Sequence, residues 1–123
     1  MTKTIDAIVD FAGRAVAPEL DLIAASRLVN TESLATQTWN HYTDPTGQFF
    51  AGVWAAAPGT MTVHYTEEEL CVILEGRVKI SDNTGASKTF GPGDSFTIPA
   101  GFSGTWENLD PVRKIYAIWQ PPG

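Results

Sequence analysis

The placement of glycine and proline constrains this chain more than any other feature. Of 19 such residues, only Gly13 and Pro18 precede residue 44, and the other 17 lie beyond it. They cluster as Asp44-Pro45-Thr46-Gly47, Pro58-Gly59, Glu75-Gly76, Asn83-Thr84-Gly85, Gly91-Pro92-Gly93-Asp94, Pro99-Ala100-Gly101 and Asp110-Pro111. Gly admits positive φ and Pro presets its own φ, so each cluster reads as a turn. Between the clusters lie short runs rich in Val, Ile, Thr, Phe, Tyr and Trp. Strands are expected at about 34–43, 49–56, 60–65, 69–75, 77–82, 86–90, 94–98, 103–108 and 112–119. Short strands at regular spacing mean an all-β sandwich or barrel and exclude alternating βαβ units.

The length of 123 residues fits one domain. Area scaling gives roughly 6,500 Å² of folded surface, so about two thirds of the unfolded surface is buried and a hydrophobic core suffices. The single cysteine excludes an intramolecular disulfide, and two histidines with one cysteine exclude a four-ligand Cys/His zinc module. A net charge of −6 argues against a phosphate-backbone binder. No apolar run approaches the ~20 residues of a membrane span. Asp6 and Asp10 interrupt any signal-peptide core, so a cytoplasmic location is expected.

Residues 1–35 form an N-terminal extension to a barrel of residues 36–123. Ile5, Ile8, Val9 and Ala12 sit at helical spacing, so the extension reads as a short helix or a covering arm. Both faces of Glu69–Leu74 carry apolar residues, and strand 112–119 is similar. Something must cover the outer side, either the extension or a second copy in a homodimer.

Glu69 and Gly76 stand seven apart, with His64 five before Glu69 and Thr62 two before that. Gly93, Pro99, Gly101 and Asn108 follow at offsets of six, two and seven, with Gly104 three beyond Gly101. This punctuation resembles the two motifs of the cupin superfamily, small jelly-roll β-barrels. The stretch is also similar to small single-domain cupins related to (S)-ureidoglycine aminohydrolase and to an ethanolamine-utilisation protein. That likeness is carried by Gly52-Val53-Trp54, Tyr65-Thr66-Glu67, Leu74-Glu75-Gly76, Gly91-Pro92-Gly93-Asp94, Pro99 to Trp106, and Pro111-Val112-Arg113-Lys114 before Tyr116.

The resemblance implies a single cupin barrel and sets His64 and Glu69 on two of four metal-ligand positions, with Thr62 and Gly104 on the others. Its register turns Thr62 and His64 inward, toward Glu69 and Cys71. A Zn, Mn, Fe or Ni ion held by His64 and Glu69 is one expectation, with His41 as a third ligand if its strand passes the mouth. The other is a metal-free His64–Glu69 pair, with or without acid–base work. Cys71 reads first as a small buried hydrophobe. Trp54, Trp106 and Tyr116 are candidate pocket walls, and Gly104 is expected to leave room beside Trp106. Lys114 shares parity with Tyr116, so its ammonium must reach the rim or a partner, where it would bind an anion.

Three functions follow from the resemblance and the residues. One is an enzyme hydrolysing or isomerising a small nitrogen-containing metabolite, as the ureidoglycine group implies. The second is a metal-free small-molecule binding module. The third is a structural protein that docks a partner without catalysis. A small-molecule ligand and a homodimer are the expected partners, with neither nucleic acid nor membrane.

Overall fold

A computed structural model describes residues 2–13 and 15–122. Ten strands carry the chain: β1 (Glu19–Leu22), β2 (Ala35–Thr43), β3 (Phe49–Ala56), β4 (Gly59–His64), β5 (Glu68–Glu75), β6 (Val78–Asp82), β7 (Ser87–Phe90), β8 (Ser95–Ile98), β9 (Ser103–Asn108) and β10 (Val112–Trp119). They form a jelly-roll barrel of two antiparallel sheets. One is ordered β1-β2-β3-β10-β5-β8 and the other β4-β9-β6-β7.

The turns work as their residues dictate. Between β2 and β3, Asp44 Oδ1 accepts the backbone N–H groups of Gln48 and Phe49, while Thr46 donates its hydroxyl to Oδ2. Gly47 completes this turn at φ 74°. Gly76 after β5 sits at φ 78°, and a Cβ there would collide with the Pro111 carbonyl, so two constraints fix glycine at once.

The helix expected near residues 5–12 is not formed. Only a 3-10 turn spans Ile5–Ala7, and Ile5 and Ile8 are exposed, so no apolar packing supports a longer helix. Part of the extension joins the barrel instead. β1 pairs with β2, and Leu28 bridges to Met61 on β4, so this segment links the two sheets. Among the described residues no helix is long and apolar enough to cross a membrane.

The core lies between the sheets, around Leu34, Met61, Val63, Cys71, Ile73, Val78, Ile98 and Trp106. The Trp106 indole N–H donates to Asn108 Oδ1 at 2.7 Å, and the Asn108 amide donates to the Ala57 carbonyl at 3.0 Å. The Trp106 indole and the Asn108 amide are thereby both partnered. The total accessible surface of 7550 Å² exceeds the scaling value of roughly 6,500 Å² because the extension leaves Ile5, Ile8, Leu20 and Leu22 in water.

Outside the larger sheet, cross-strand partners make a continuous apolar face. Val72, Ile115 and Val53 form one row, Leu70, Ala117 and Ala51 the next, and Trp119 and Phe49 a third. Arg113 lies on this side with its guanidinium 4.7 Å from the Trp39 ring centre.

Candidate functional site

Alternation along three strands builds the site. Side chains two apart share a face, so the inner row of β10 is Lys114, Tyr116 and Ile118. The register sets Ile118 opposite Glu69, Tyr116 opposite Cys71 and Lys114 opposite Ile73 on β5. On the other side of β10, Lys114 faces Trp54 of β3. The smaller sheet contributes Met61 and Val63 from β4 and Trp106 from β9. These walls enclose an open cavity of about 850 Å³, closed further by Phe50, Tyr65, Thr38 and Asn40 and rimmed by Glu19, Arg27, Thr62, His64 and Glu67.

At its centre Lys114 donates to Glu69 Oε2 at 2.8 Å, and both side chains are 7% exposed. Cys71 donates its thiol to the same oxygen at 3.4 Å and lies 3.5 Å from the Lys114 ammonium. That ammonium sits 4.2 Å from the ring centre of Trp106 and 4.8 Å from that of Trp54, inside cation–π range. The two indoles are themselves edge-to-face. Burial disfavours the charge on Lys114, but the Glu69 carboxylate, with Cys71 and Tyr65 beside it, outweighs this and holds its pKa above the usual lysine value. Burial pushes the Cys71 thiol up to about 12 and Tyr116 to about 12, and raises Tyr65 as well. At neutral pH the Lys114 ammonium thus keeps its charge beside Glu69, while the Cys71 thiol and the Tyr65 and Tyr116 hydroxyls stay neutral. Tyr116 donates to Asn40 Oδ1 at 2.7 Å, which ties β10 to β2 across β3.

Several expectations need correction. Thr62 and His64 face out from the barrel, and Met61, Val63 and Tyr65 hold the inner row. The assumed motif register is one residue off, and a slip of one exchanges the faces. His64 Nδ1 is bonded to Ser103 Oγ across the strand pair rather than to Glu69. His41 lies at a bulge in β2, 6% exposed, with its ring stacked on Phe11 at 4.7 Å and outside the cavity wall. It cannot serve as a third ligand there. Gly104 leaves no room, since a Cβ on it would strike the Ser81 carbonyl of β6. Lys114 does not extend to the rim; its counter-ion, Glu69, is internal. Trp54, Trp106 and Tyr116 line the cavity, Trp106 at 1% exposure. Tyr65 is the site residue not singled out from the sequence, and Lys114, expected to bind an anion, pairs with Glu69 instead.

A family-type metal does not fit these residues. Glu69 is the one cavity carboxylate deep enough to be a ligand, and it is already neutralised by an ammonium 2.8 Å away. A divalent ion on Glu69 would lie against that charge. Among the described residues, no three His, Cys, Asp or Glu side chains converge to hold an ion.

The EutQ-like cupin domain family model matches residues 43–116, more than half of the chain. The chain belongs to the EutQ-like cupin family. A solved Pseudomonas syringae protein of unknown function from the DUF861 family is 25% identical, with a TM-score of 0.76 over 89% of this chain and 46% of that one. This chain thus spans less than half that protein's length. The Clostridium difficile EutQ protein shares 18% identity and the fold, with a TM-score of 0.70 over 97% of this chain and 85% of its own. A Thermotoga maritima DUF861 protein is 34% identical over 52% of this chain and 73% of that one, with a TM-score of 0.51. None of the curated proteins matches it.

Proposed function

We propose that this EutQ-like cupin is a small-molecule binding module that works without a metal. The observation that carries the reading is the Lys114–Glu69 pair inside the cavity. A buried ion pair of this kind contributes little to stability compared with an apolar pair of equal volume. Its placement in a cavity walled by Trp54, Trp106 and Phe50 instead supplies a few fixed polar groups on apolar walls, the usual composition of a ligand site.

Turnover of a nitrogen-containing metabolite, the aminohydrolase-like alternative, draws no support from a His64–Glu69 couple, because His64 is engaged by Ser103 at the rim. The nucleophile of a Schiff-base enzyme is disfavoured too, since Glu69 keeps Lys114 protonated. A homodimer through the apolar outer face is compatible with this reading and independent of it.

The test is thermal denaturation of untagged protein with a metabolite panel and, separately, with Zn²⁺, Mn²⁺, Fe²⁺ and Ni²⁺. A ligand at about a hundred times its Kd adds about 2.7 kcal/mol, near 10 °C for a domain of this size. The reading expects such a shift with a metabolite and none with any metal. Near-stoichiometric metal by elemental analysis, lost in Glu69→Gln, overturns it.

A further inference from the structure

The cavity contains two unsatisfied polar groups that point to the chemistry of its ligand. Glu69 accepts both of its side-chain hydrogen bonds at Oε2, and its Oε1 has no partner among the described residues. Tyr65, 9% exposed, likewise has no hydrogen bond from its hydroxyl. Among described buried side chains, the only polar atom both sealed off and unpartnered is His41 Nδ1. Glu69 Oε1 and the Tyr65 hydroxyl are therefore not sealed off, and both residues line the cavity. One is an acceptor only. The other is available as a donor, because burial holds the phenol protonated.

Charge narrows the class. Lys114 and Glu69 cancel in the interior, and the remaining charged groups, Glu19, Glu67 and Arg27, stand at the rim. An anion would meet the free carboxylate oxygen, and a cation would meet the ammonium. The walls narrow it further. Trp54, Phe50, Met61, Val63 and Ile118 offer no partner to the hydroxyls of a sugar, and of the polar residues that close the cavity Asn40 is already bonded to Tyr116 and Thr43, which leaves Thr38. Flat aromatic faces suit a flat ring.

We infer that the barrel takes an uncharged planar ring carrying an N–H and a C=O, as in lactams, cyclic imides and pyrimidine-type heterocycles. The N–H donates to Glu69 Oε1 and the carbonyl accepts from the Tyr65 hydroxyl. Lys114 holds the carboxylate in place through Oε2, so the ring meets an acceptor whose orientation is already fixed. This inference rests on the reading of the chain as a binding module and specifies the ligand class of that same cavity.

The experiment is a ligand-observed NMR titration of the full chain with δ-valerolactam, succinimide and uracil. Each is paired with its N-methylated counterpart, and succinate and piperidine serve as anionic and cationic controls. The N–H rings are expected to bind, the N-methyl compounds at least tenfold more weakly, and the charged controls no better than the N-methyl ones. Tyr65→Phe, which removes one oxygen, is expected to weaken the N–H rings at least tenfold while leaving the melting temperature nearly unchanged. Equal binding of methylated and unmethylated rings overturns the inference, and so does preferential binding of either charged control. If no ring binds, it is also overturned. The binding-module reading survives that result where another compound of the wider panel raises the melting temperature. Methylated pairs test the donor to Glu69 even if Tyr65→Phe should fold poorly.

Discussion

Replacing Lys114 with Met is the most informative single perturbation. Methionine keeps the apolar stem among Trp54 and Trp106 but removes the ammonium, so Glu69, 6% exposed, keeps only the weak thiol contact from Cys71. Removing one partner of a buried pair costs about 3–5 kcal/mol, most of it the stranded charge. Two cation–π contacts, at 4.2 and 4.8 Å, are lost with it. Unfolding entropy near 2.1 cal/mol/K per residue makes 1 kcal/mol worth about 4 °C here, so the expected drop in Tm is roughly 12–20 °C. Removing both charges in Lys114→Met with Glu69→Leu should recover most of the loss, since a well-packed apolar pair substitutes for a buried ion pair at little cost. Urea denaturation of wild type, both single variants and the double variant closes a cycle whose coupling is expected to be at least ~2 kcal/mol. The sign with pH is fixed by the raised Lys114 pKa. Its contribution is fully present below the unfolded lysine value of about 10.4 and is lost only as pH rises through the still higher folded value. In the wild type the Lys114 contribution should therefore be flat from about pH 6 to pH 9. A coupling below ~0.5 kcal/mol would refute the buried pair.

Cys71, with a thiol pushed up to about 12 and no exposure, should resist iodoacetamide at pH 8 in the native protein. It should react freely in denaturant, and rapid native labelling would contradict the packing. The β2–β3 turn should loosen in acid. Asp44 is lowered to about 2, first by the Thr46 hydroxyl and then by the backbone N–H of Phe49, so its contribution is present above the unfolded value of about 3.9 and disappears as pH falls toward 2. Faster amide exchange at Gln48 and Phe49, in acid or in Asp44→Ala, is the expected readout. If the outer face forms a homodimer, sedimentation should give twice 13.3 kDa, and Ala117→Glu, at the centre of the apolar grid, should return the 13.3 kDa species.

Strands β2 to β10 were legible because their ends are written in Gly, Pro, Asp and Asn, whose backbone preferences act within a few residues. The segments 49–56, 103–108 and 112–119 coincide with β3, β9 and β10. β1 was not legible, since Glu19-Leu20-Asp21-Leu22 is short, fully exposed and held only by pairing with β2. The error over His64 has a different origin. Met61, Val63 and Tyr65 alternate with Thr62 and His64 in the plain apolar–polar pattern of a half-buried strand. That alternation already turns the histidine outward, and it was overruled by motif spacing. Local burial is the stronger physical constraint, because the wrong register would expose three large side chains.

Lys114 required more than alternation. Parity with Tyr116 and Ile118 marks it as inward, and parity with Cys71 does the same for Glu69. Their meeting depends on β10 lying between β3 and β5, which join strands far apart in the chain. No local pattern encodes that order. Once it is known, an inward lysine and an inward carboxylate on adjacent strands must pair, because either alone would be costly to bury. Pairing has a functional consequence. With Lys114 held protonated, Cys71 and Tyr116 titrating only near 12 and Tyr65 raised as well, no interior acid loses its proton between neutrality and about pH 9. The affinity for δ-valerolactam, whose N–H does not ionise in this range, should therefore be constant across it. A metal-bound site would behave differently, since hydroxide competes for the ion as pH rises. A pH titration of δ-valerolactam binding between 7 and 9 thus distinguishes an internal ammonium from a metal centre, and a decline in affinity over that interval would count against the ammonium.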